Sequence, residues 1–81
     1  MSKRFLITGE DGFLPASHRE TDNPNLIRTY MRDVAADLDP HNYSTIKVYD
    51  FTYHGDTPAT IWTRPVGAKK WELRAGTHKE N

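Results

Sequence analysis

The residues best suited to recognition chemistry gather toward the C-terminal end, where Trp62, Arg64, Lys70 and Arg74 set a flat indole among guanidinium and ammonium groups. That combination is enriched at protein interfaces and also suits stacking on nucleobases. A nucleic-acid reader should carry a strong basic excess, because counterion release from phosphate contacts supplies much of its affinity. Here the formal charge is zero, and Asp50 and Glu72 interrupt the basic strip. A protein partner is therefore the favoured expectation, with a sheet-face DNA- or RNA-binding module as the alternative. The plain reading is a surface tryptophan half covered by arginine stems.

Catalytic groups are scarcer. His18, His41, His54 and His78 are widely spaced and mostly stand beside turn residues, without the i,i+4 or close-turn spacing that a metal site needs. With no cysteine, a disulfide framework, a thiolate metal site and a cysteine nucleophile are all excluded. Ser17 precedes His18, but adjacency in sequence does not set a base against a hydroxyl. Glu10 and Asp11 lack the apolar setting that raises a carboxyl pKa for general-acid work. The expectation is a non-enzymatic protein without metal or cofactor.

The segment Phe5-Leu6-Ile7-Thr8-Gly9-Glu10-Asp11-Gly12-Phe13 resembles the strand and glycine-rich turn that open nucleotide-sugar epimerases of the short-chain dehydrogenase family. That resemblance implies a βαβ dinucleotide site. It ends there: Pro15 stands where the third glycine belongs, no helical pattern follows at once, and 81 residues are too few for that fold.

Local patterns predict an α+β domain of order β-α-β-β-β, a two-layer arrangement with one amphipathic helix on a mainly antiparallel sheet. Residues 4–8 form an apolar strand stopped by Gly9, and residues 9–23 read as a long loop without periodicity. Phe13 and Leu14 in its middle either tuck beneath it or are offered to a partner; tucking is favoured, because exposed apolar pairs harm solubility. Asn23 and Pro24 cap a helix over about 24–38, whose stripe is Leu26, Ile27, Tyr30, Met31, Val34 and Leu38. Pro40 ends it.

Three strands follow near 44–53, 58–65 and 69–75, as a meander. Alternation puts Lys47, Tyr49, Phe51 and Tyr53 on one face and Ile46, Val48, Asp50 and Thr52 on the other. With odd hairpin loops, Phe51, Ile61, Leu73 and Trp71 form the core under the helix, and Trp62, Arg64, Lys70 and Arg74 face solvent as the contact surface. Phe13 and Leu14 are a second candidate contact.

Residues 1–76 make a single domain and 77–81 a frayed polar tail. Residues 9–56 carry nine acids against Arg19, Arg28, Arg32 and Lys47, whereas the flanking segments are basic. No apolar run approaches the length of a membrane span or a signal-peptide core, so a cytoplasmic protein is expected. Size and divided charge suggest a small accessory or regulatory protein that binds or inhibits a larger one, in the style of phage or mobile-element inhibitors.

Overall fold

The computed structural model describes residues 3–76; the expected tail at 77–81 lies outside the described residues. Two alternating patterns define the centre of the sheet. In β1 (Phe5–Asp11), Phe5, Ile7 and Gly9 are buried while Leu6, Thr8 and Glu10 are less covered. In β3 (Ser44–Asp50), Ser44, Ile46 and Val48 repeat the pattern, and the two strands pair antiparallel with Ile7 opposite Val48.

Around them stand β2 (Leu14–Thr21), β4 (Thr60–Arg64) and β5 (Glu72–Gly76), giving a five-stranded sheet of order β2-β1-β3-β4-β5. Every pairing is antiparallel. A 3-10 turn (Pro24–Leu26) leads into α1 (Ile27–Ala36), which packs on one face. The Asn23 side chain accepts from the Asn25 amide at 2.9 Å, the cap expected beside Pro24. No described helix is long and apolar enough to cross a membrane.

The core is Ile7, Val34, Leu38, Ile46 and Val48. Ile7 and Ile46 are almost fully enclosed, and burial of each side chain is worth about 1.5–3 kcal/mol. The fold is thus α+β with one helix on an antiparallel sheet, as the sequence predicts, but it has one more strand.

That strand lies in the segment expected to be a loop. Residues 9–23 form most of a hairpin in which Asp11 pairs with Leu14 across Gly12 and Phe13. Gly12 has φ 61°, and among the described residues only glycines take positive φ. This places glycine at the first central position of a two-residue turn, the position that the II′ hairpin turn requires. Pro15 is tolerated because β2 is an edge strand, and a register shift between Gly9 and Glu10 bends the pair. Phe13 and Leu14 are not tucked: they project at the tip with 99% and 72% of their surface exposed.

The strand expected to reach residue 53 stops at Asp50. There the chain turns into α2 (Phe51–His54), a single turn whose first free amide, that of Thr52, is accepted by the Asp50 carboxylate at 3.2 Å. Tyr53 therefore leaves the sheet.

The expected division of faces is also corrected. Ile46 pairs with Trp62 and Ser44 with Arg64, so Trp62 and Arg64 lie on the helix side with the aliphatic residues. Ile61 pairs with Lys47 on the far side, where Lys47 Nζ approaches Glu10 Oε2 at 3.5 Å and Tyr49 stacks on Phe51 at 5.7 Å. The physical reason is the charge of Lys47, which holds its alternating set toward water while β-branched Ile46 and Val48 take the core.

Candidate functional site

α1 presents Met31 and Ala35 along one flank, with Arg28 and Arg32 beside them at helical spacing. The helix lies chiefly over β1, β2 and β3. Between this flank and β4 the sheet is left partly open, and a groove runs there in two chambers of about 590 and 300 Å³. The larger is floored by Phe5, Val48 and Thr60, with Ile27 on the helix side. The smaller is closed by Ile46 and Trp71. Arg28, Met31 and Trp62 line both.

Trp62 is half-buried against the core, with its indole N–H donating to Thr60 Oγ1 at 3.3 Å. Trp71, just before β5, is half-buried on the same side. The Arg64 guanidinium lies 4.7 Å from the centre of the Trp71 ring, and its Nε and one terminal nitrogen are buried with no hydrogen-bond partner among the described residues. Cation–π attraction offsets part of the cost of enclosing that charge.

The predicted contact surface is thus divided by the sheet. Trp62 lines the groove, and Arg64 lies on the same side against the Trp71 ring. Arg74 is held on the other side, where its Nε donates to Thr63 Oγ1 at 2.9 Å and a terminal nitrogen meets Glu72 at 3.1 Å. Lys70 is exposed in the connection that ends at Trp71. Phe13 and Leu14 stand apart at the hairpin tip. Sequence reasoning missed Arg28, Arg32, Met31 and Trp71 as neighbours of Trp62. The i,i+4 arginines beside the Met31 stripe were the available signal.

Elsewhere, polar groups serve the fold. Arg4 makes paired hydrogen bonds to Asp50, Nε to Oδ1 at 3.0 Å and Nη2 to Oδ2 at 3.1 Å, and its guanidinium lies 4.6 Å from the Phe5 ring centre. These bonds hold the Asp50 carboxyl below the usual carboxylate range and raise the Arg4 guanidinium. Asp39 is lowered by the backbone amide of His41, which donates at 2.9 Å, and then by the His41 ring, 3.1 Å away. The Ser17 hydroxyl donates to Asp37 at 2.7 Å, not to His18, since neighbours on a strand point to opposite faces. Among the described residues, no cluster of three or more His, Asp or Glu side chains could hold a metal ion.

Chemically, the groove can enclose an apolar or aromatic side chain and offer cations to its neighbours. No protein-family model, curated protein or solved structure matches this chain.

Proposed function

We propose that this is a non-enzymatic accessory protein that regulates or inhibits a larger protein by binding it, and that the groove between α1 and β4 is its contact surface. One observation carries the reading: Trp62 and Trp71 are left half-covered in an apolar cleft beside Arg28 and Arg32. Tryptophan and arginine dominate the energetic centres of protein interfaces, and Met31 adds an adaptable wall.

The test is affinity capture from the native host lysate with wild type, Arg28→Glu/Arg32→Glu and Trp71→Ala, each variant first shown by circular dichroism to be folded. A partner retained by wild type and lost by both variants is expected. Equal recovery by all three would remove the groove from consideration.

The second reading, a DNA- or RNA-binding module, is favoured by the same pairing of indoles with guanidinium groups. It predicts that labelled single strands or duplexes bind at low salt and dissociate as salt rises. The neutral net charge weighs against it.

A further inference from the structure

Six arginines lie in the described chain, and they divide into two sets. Arg4, Arg19 and Arg74 each meet a carboxylate, Asp50 at 3.0 Å, Asp37 at 3.5 Å and Glu72 at 3.1 Å. Arg28, Arg32 and Arg64 meet none within 4.0 Å among the described residues, and all three stand at the groove or against its wall. Lys69 and Lys70, in the connection to Trp71, are exposed and likewise have no ion pair among the described residues. The groove's one lining acid, Asp50, is already engaged by Arg4. Two guanidinium groups without an ion pair among the described residues therefore line an apolar cleft, and a third stands against its Trp71 wall.

Resting on the protein-binding reading above, we infer that the groove takes an acidic segment of the partner, a short stretch in which carboxylates flank an apolar or aromatic anchor. The anchor enters beside Met31 and Trp62. The carboxylates meet Arg28 and Arg32 in the bidentate geometry that guanidinium groups favour, and the charge of Arg64 behind Trp71 adds to the attraction. Chambers of about 590 and 300 Å³ accept side chains, and their walls are mainly apolar, with few groups to read a base edge. A nucleic-acid strand would also need phosphate contacts that continue past the cleft, whereas the formal charge of the chain is zero.

The test is selection of a random dodecapeptide phage library on the immobilised full chain, followed by titration of the synthetic consensus peptide using the fluorescence of the two tryptophans. Enriched peptides should carry acids on both sides of a Leu, Phe or Trp. Their affinity should fall about tenfold in Arg28→Gln/Arg32→Gln and stay unchanged in Arg19→Gln, whose charge is matched to Asp37. Peptides without acidic bias, no enrichment at all, or equal binding by the Arg28→Gln/Arg32→Gln variant would overturn the inference. In each of those cases a partner captured through the groove would still stand. Salt-dependent binding of a single-stranded oligonucleotide, lost in the same variant, would overturn both.

Discussion

Replacing Gly9 by alanine adds one methyl group where Val34 and Leu38 lie against β1. A Cβ built there would overlap Val34 Cγ1 and press on both Leu38 methyls at 3.1 and 3.2 Å. Val34 is fully buried and β-branched, so within a helix it has essentially one rotamer and cannot swing aside. Overpacking of this kind costs about 1–3 kcal/mol. Alanine recovers roughly 0.5–1 kcal/mol, because it restricts the unfolded chain more than glycine does. At the middle of both ranges the net loss is about 1 kcal/mol, which in a domain of this size lowers Tm by about 4–8 °C. Thermal and urea denaturation followed by circular dichroism measure it directly. The double variant Gly9→Ala/Val34→Ala isolates the cause: removing the opposing methyls relieves the clash, so the two losses should be less than additive by about 1 kcal/mol. A Gly9→Ala protein as stable as wild type, or strict additivity in the double variant, would refute the packing argument.

Two further outcomes follow from the same structure. Asp50 is held below the usual carboxylate range chiefly by its hydrogen bonds from Arg4, so its contribution to stability is fully present above the unfolded pKa of about 3.9 and is lost as pH falls through the lower folded value. Asp50→Asn should destabilise the protein by a constant amount above about pH 5, with the difference from wild type shrinking below about pH 4; a difference independent of pH would contradict this. At the hairpin tip, Phe13→Ser/Leu14→Ser removes exposed apolar surface and should change the urea midpoint by no more than about 0.5 kcal/mol equivalent while leaving partner capture through the groove intact. Loss of capture would transfer the contact surface to the tip.

What could be read from the chain was whatever depends on local chemistry. Asn23, Pro24 and the stripe through Val34 and Leu38 define the helix because capping and period act within a few residues. The second strand left little trace: of Leu14–Thr21 only Thr21 is buried, so no apolar alternation marks it, and the Asp11-Gly12 turn was its one signal. The choice of sheet face turned on weighing Lys47 against the bulk of Tyr49 and Phe51. Bulk suggested a core, whereas an ion-paired lysine two residues away marks the solvent side. The groove itself was not legible, since periodicity says which face of a helix is buried but not where across the sheet the helix lies.

That lateral position follows from width and from one close approach. A helix is about 10–12 Å across with its side chains, and strands lie about 4.8 Å apart, so a single helix cannot cover five strands. Gly9, without a side chain, lets Val34 and Leu38 settle onto β1 and fixes the helix on that side of the centre. On the flank over β2, the Ser17 hydroxyl and the Arg19 guanidinium both meet Asp37, and the gap is closed by polar contacts. On the flank over β4 no acid meets Arg28, Arg32 or Arg64 within 4.0 Å among the described residues, Asp50 being taken by Arg4, and two half-buried indoles line the cleft. The same helix therefore has one flank matched within the chain and one whose charge and apolar surface find no internal counterpart. Such a surface is costly to leave to water, and it is accounted for if its complement is supplied by another molecule.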